Sequence, residues 1–175
     1  MDIEVTPAGR LIWPGGTFRC ALGRGGIRSD KREGDGGTPT GCFPLRRVLF
    51  RADRMAHPAT GLPASAIAQD DGWCDDPRDA AYNRPVRLPY AASHEKLWRD
   101  DSVYDVIVVL GHNDDPVIPD AGSAVFLHVA RPNYEPTEGC VAVAVGDLLR
   151  LLADCAPGDR LCVRDDVPVA GVLMA

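Results

Sequence analysis

The stretch FLHVARPNYEPTEGCVAV, residues 126–143, holds the two side chains best suited to covalent chemistry, His128 and Cys140. A cysteine becomes a nucleophile when a histidine, a helix start or a set of backbone amides favours its thiolate. Gly139 permits a tight turn beside Cys140 and brings amide groups near the sulfur, where they can stabilise an oxyanion. The intervening VARPNYEPTEG carries two prolines and is long enough to loop out and return, so the two side chains can meet. On the residues alone the choice stays open. A histidine on an apolar strand is by default a satisfied core residue, and a buried cysteine is by default a small inert hydrophobe. His112, His128 and Cys140 also form a conceivable zinc set with water in the fourth position, without the carboxylate-bearing helix motif of zinc hydrolases.

The elements that must position this pair read as mostly β. DIEVT, RLIW and TFRCALG are short runs broken by Pro-Ala-Gly and Pro-Gly-Gly turns. GGIRSDKREGDGG is a glycine-rich loop, Lys31 and Gly34 to Thr38 read as turn formers, and CFPLRRVLF resumes a strand. Residues 51–90 lack periodicity and read as a long irregular excursion, with Cys74 in a structural loop. SHEKLWRDD, 93–101, suggests a short helix capped by Ser93, with His94, like His57, an exposed polar position. YDVIVVL reads as a strand buried on both faces, and AVFLHVA delivers His128 near its end. After CVAVAV, the spacing of Leu148, Leu149, Leu151, Leu152 and Cys155 predicts an amphipathic helix, with Asp147 near its positive start. A last strand follows in DRLCVRD. No repeat or linker interrupts the chain, so residues 1–175 read as one mixed, mostly β domain with one or two short helices.

Composition narrows the partners. A chain of 175 residues can bury a core without staples, and its hydrophobic content of 45% and charged content of 25% are ordinary for a globular protein. A net charge of −6 with no basic stripe argues against a nucleic-acid surface. No apolar run reaches the roughly 20 residues that cross a bilayer. The opening MDIEVTPAGRLIW shows no basic-then-apolar leader, an expectation of a cytoplasmic protein unless a leader has been removed. The six cysteines match no compact disulfide framework, and Cys20, Cys155 and Cys162 read as buried free thiols.

The local signatures, taken in order, resemble the L,D-transpeptidase catalytic-domain family of bacterial cell-wall enzymes. VFLHVA and TEGCVAV resemble its apolar-apolar-His strand and its Ser/Thr-x-Gly-Cys element. KREGDGGTPTGCFPL is similar to its Lys-x-x-Gly-(Asp)-x-x-Thr-Pro-x-Gly turn, and GWCDDP, YNRPV and GHNDDPV extend the likeness over roughly residues 15–160. The resemblance implies a β sandwich or barrel-like fold and no metal or other cofactor. It implies Cys140 as nucleophile, His128 as base with the Val129 carbonyl orienting its ring, and the amides of Gly139 and Cys140 as oxyanion hole. It also implies attack on a peptide carbonyl next to a D-amino acid, commonly that of a diaminopimelate residue in a peptidoglycan stem. D-Alanine then leaves, and an amine resolves the thioester into a cross-link, or water resolves it in a carboxypeptidase or amidase. His112, Asn113, Arg131, Tyr134, Thr137 and Glu138 are the candidate substrate contacts. Two positions depart from many members: Glu138 stands where His or Lys precedes the Gly-Cys pair, and Ala142 stands where Asn or Arg follows the cysteine. These departures leave the nucleophile and base in place and bear on the donor stem. A non-catalytic module holding the same peptides is the remaining alternative.

Overall fold

Fourteen short strands and one helix organise the computed structural model, which describes residues 1–165. In chain order the strands are β1 (Asp2–Thr6), β2 (Arg10–Trp13), β3 (Gly16–Arg19), β4 (Ile27–Arg28), β5 (Thr38–Pro39), β6 (Gly41–Phe50) and β7 (Ala64–Ala66). They continue as β8 (Asp71–Cys74), β9 (Pro85–Arg87), β10 (His94–Lys96), β11 (Val106–Leu110), β12 (Phe126–Val129), β13 (Val141–Val143) and β14 (Arg160–Val163), with helix α1 (Val145–Asp154) between the last two. The main sheet runs β13-β12-β11-β6-β14-β1-β2-β3, with β7 added beside β6. A bridge from Ala21, just past β3, to Ala142 of β13 joins the two ends, so the sheet nearly closes into a barrel. The fold is the mostly β, barrel-like architecture that the sequence led us to expect.

Two apolar cores lie on the two faces of the central strands. Successive side chains of a strand point to opposite faces. Val106, Val108 and Leu110 of β11 therefore join the main core with Ile3, Val5, Leu127 and Val141. Ile107 and Val109 turn the other way, against Trp73, Leu97, Tyr104 and Phe126. That double burial is why VIVVL is apolar at every position. Helix α1 closes the main core with Leu148, Leu151 and Leu152, each fully buried and each worth about 1.5–3 kcal/mol of transfer free energy.

The second core is covered by the segment that reads as irregular. Residues 51–90 contain β7, β8 and β9, and β8 is the middle of a three-stranded sheet in the order β10-β8-β9. Trp73 of β8 packs edge-on against Phe126 at 5.2 Å between ring centroids. Residues 94–96 are not helical: His94, Glu95 and Lys96 pair with Cys74, Trp73 and Gly72. A short polar segment gains little from a single isolated turn, and β8 offers it an unpaired edge, after which Leu97 is buried. Cys162 is also not a free thiol. It stands opposite Cys42 across the antiparallel β6–β14 pair and is disulfide-bonded to it. A partner 120 positions away leaves no trace in local spacing. Cys20, Cys74, Cys140 and Cys155 are free and buried. Among the described residues no helix is long and apolar enough to cross a membrane.

Candidate active site

His128 and Cys140 come together because β12 and β13 run parallel with Leu127 opposite Val141 and His128 opposite Ala142. Leu127, Val129, Val141 and Val143 enter the main core. The alternate positions, Phe126 and His128 on β12 and Cys140 at the entry to β13, face the other side. There both His128 and Cys140 line a cavity of about 530 Å³. Both are almost wholly buried, at 5% and 8% exposure.

The thiol is held at both ends. The Phe126 N–H donates to Sγ at 3.3 Å, and the S–H donates to the Ala124 carbonyl at 3.3 Å. The imidazole is held at one. Its Nδ1 lies 2.9 Å from the Val129 carbonyl, and since a carbonyl only accepts, Nδ1 carries the proton and Nε2 keeps its lone pair. Burial sets the charge states. It pushes the Cys140 thiol up to about 12, with Glu95 adding to the effect and the Phe126 N–H and Lys31 opposing it. It pulls His128 down to about 4 against the Val129 hydrogen bond, with Arg131 and Arg99 lowering it further. The cavity therefore holds a neutral thiol and a neutral imidazole at rest.

The turn into Cys140 is built by Thr137 and Gly139. The Thr137 hydroxyl donates to the Cys140 carbonyl at 2.7 Å and accepts from the Gly139 N–H at 3.1 Å. Gly139 has a φ of 134°, and a Cβ there would fall 2.8 Å from the Gly37 carbonyl oxygen, so glycine is required on both counts. The Gly139 amide is thus committed within the turn itself. The backbone of Thr137 is tied to Leu22 and Arg24, which anchors the loop to the strand end that closes the barrel.

Of the residues singled out from the sequence, Arg131, Thr137, Glu138 and Gly139 line the cavity with His128 and Cys140. Glu138 is exposed and paired with Arg24 at 2.8 Å. His112, Asn113 and Tyr134 lie elsewhere. The His112 Nε2 meets the Ala121 carbonyl at 3.0 Å and its ring packs edge-on against Phe43, so it does not join His128 and Cys140 as a third ligand. Asn113 organises its own turn, donating to the Ile118 and Gly122 carbonyls at 2.9 and 3.0 Å. Tyr134 stacks under Arg19 in a separate groove.

Three residues of the site were not singled out. Tyr104 places its ring edge-on to His128 at 5.4 Å between centroids and donates its hydroxyl to Glu95 at 2.5 Å. Glu95 is half-buried in the cavity wall, where desolvation pushes its carboxyl above the usual range. Asn83, buried and with a φ of 54°, donates to the His112 and Asn113 carbonyls at 3.0 and 2.7 Å. Its own carbonyl accepts from Trp73 Nε1 at 3.0 Å and from the Ala124 N–H at 3.1 Å, so it fixes the residue that holds the thiol. The only hint was its place in YNRPV, one of the stretches that extend the family likeness. Reading 93–101 as helix hid the inward turn of Glu95.

The model of the L,D-transpeptidase catalytic domain family (YkuD) matches residues 3–169. The chain belongs to that family. A comparison with curated proteins gave no match. L,D-transpeptidase family enzymes act on peptidoglycan peptides, and within this L,D-transpeptidase domain the cavity at the β12–β13 end is the candidate active site.

Proposed function

We propose that this L,D-transpeptidase-family chain performs cysteine-dependent acyl transfer on peptidoglycan stem peptides or related peptides containing D-amino acids, through a thioester on Cys140 with His128 as base. The observation that carries the reading is the fixed tautomer of His128: Nδ1 is committed to the Val129 carbonyl, so Nε2 keeps its lone pair, in the cavity that Cys140 also lines.

As the sulfur adds to the donor carbonyl, the S–H proton passes to Nε2 and the carbonyl π electrons move to oxygen, where the Cys140 N–H receives them. Collapse of the tetrahedral adduct breaks the C–N bond. The departing amine takes the proton back from the imidazolium, leaving an S-acyl enzyme and a neutral His128. An acceptor amine then attacks the thioester carbonyl, His128 takes its proton, and the thiol is regenerated as the new amide forms. With water as acceptor the same steps give the free acid, the carboxypeptidase or amidase outcome.

Exposure of the intact protein to a carbapenem and to stem-peptide fragments, read by mass spectrometry, tests the proposal. The expected result is a covalent mass increase on Cys140 that Cys140→Ala lacks, with a cross-linked product if an amine is the acceptor and a shortened acid if water is. Binding of the fragments without adduct or turnover would establish a ligand-holding module instead.

A further inference from the structure

Lys31, which reads as a turn residue, has an ammonium placed beside the Gly-Cys pair. Its side chain is only 8% exposed, and Nζ is bound by Asp35 Oδ1 at 2.5 Å and the Arg32 carbonyl at 2.8 Å. Asp35 is itself fixed, accepting from the N–H groups of Arg32 and Gly37 at 2.8 Å each. On its remaining sides the lysine packs against two glycines. A Cβ added at Gly122 would lie 3.0 Å from Lys31 Cε, and one added at Gly139 would lie 3.7 Å from Nζ. The ammonium therefore faces the residue that leads into Cys140, and it lines the same cavity as Cys140 and His128.

Acyl transfer puts a negative charge first on sulfur and then on the acyl oxygen, inside a cavity whose burial opposes both. Around the thiol stand Glu95 of β10, Tyr104 just before β11, His128 of β12 and Lys31; around the ammonium stand Asp35 and His112. Glu95 works against the charge. Arg99 is committed to Asp101, Arg131 lies on the exposed loop, and Lys96, which also lines the cavity, is exposed. We propose that Lys31, its charge partly offset by Asp35, is the positive charge that supports the Cys140 thiolate and the oxyanion formed on the donor carbonyl. This role rests on the reading of Cys140 as the nucleophile.

The test compares Lys31→Met, Lys31→Arg and Asp35→Asn by the pH dependence of iodoacetamide alkylation, mapped to Cys140 by peptide mass spectrometry, together with steady-state kinetics on the stem fragment. Displacing the thiol titration by one pH unit changes the thiolate fraction about tenfold. Lys31→Met is expected to slow alkylation at pH 8 by about that factor and to lower kcat with little change in KM, and Lys31→Arg to recover most of the loss. Asp35→Asn removes the compensating carboxylate and is expected to accelerate alkylation. Opposite signs separate charge support from a merely structural tie, whose loss on either side would move both variants the same way. If Lys31→Met does not fold, Lys31→Arg and Asp35→Asn decide: faster alkylation in Asp35→Asn supports the role, and unchanged or slower alkylation overturns it. Equal rates in Lys31→Met and wild type, with wild-type Cys140 still acylated by the carbapenem, would overturn the role of Lys31 alone. A wild-type Cys140 that is never acylated would instead remove the nucleophile on which it rests.

Discussion

Substituting His128 with glutamine tests the buried neutral imidazole directly through the pH dependence of stability. The folded protein holds His128 near 4, against an ordinary value near 6.5. The unfolded chain therefore takes up a proton at this residue as pH falls below 6.5, while the folded chain does not do so until about 4. The sign follows: this residue costs nothing above pH 6.5, costs stability progressively between 6.5 and 4, and adds no further dependence below 4. At about 1.4 kcal/mol per pH unit of separation the full cost is about 3 kcal/mol, and roughly 2.5 kcal/mol of it is present at pH 4.5. Other carboxylates titrate in the same window in both proteins and cancel in the comparison. Urea unfolding of wild type and His128→Gln at pH 7 and pH 4.5 is expected to show wild type losing about 2 kcal/mol more than the variant. Parallel losses, within about 0.5 kcal/mol, would refute the buried neutral base. The same value places the acid limb of kcat/KM for stem-peptide turnover near pH 4 rather than pH 6.5, because the imidazole stays competent as a base until it protonates.

Asn83→Ala leaves two part-buried carbonyls and the buried Trp73 and Ala124 N–H groups short of a partner. It is expected to lower stability by about 2–4 kcal/mol in urea unfolding and to slow turnover as the thiol loses its fixed acceptor. Gly139→Ala drives a Cβ to 2.8 Å from the Gly37 oxygen at a φ of 134°, so turnover is expected to fall at least 100-fold while the thermal midpoint drops by only a few degrees. Reducing the Cys42–Cys162 disulfide, or replacing both residues with alanine, is expected to cost about 2–4 kcal/mol in denaturant without changing the rate of Cys140 acylation, since the bridge lies on β6 and β14.

What the residues revealed and what they hid follow one physical division. Features written in periodicity or local turn chemistry were legible. The apolar run at 106–110, the helix face of Leu148, Leu151 and Leu152, and the Gly-Cys turn preceded by a histidine strand each depend on neighbours within a few positions. Features created by pairing distant segments were not. The strand at 94–96 exists because β8 offers an edge. The bond of Cys162 to Cys42 depends on strand order, and Lys31 reaches Gly139 only because the glycine-rich loop folds over it. His112 and Asn113 illustrate the converse. Their place in GHNDDPV, part of the family likeness, suggested substrate contacts, while their hydrogen bonds serve the 112–122 turn.

The position of β14 has a consequence for how the reactive site comes into being. The last described strand is inserted between β6 and β1, pairing antiparallel with the one and parallel with the other. A chain emerging from the ribosome and ending before Arg160 would leave those two strands with facing, unsatisfied edges. The sheet would be open at its middle, although every residue of the cavity had already been made. The half that carries the thiol, β13-β12-β11-β6, and the half made of β1, β2 and β3 are therefore joined at the middle of the sheet through a segment near the end of the described chain.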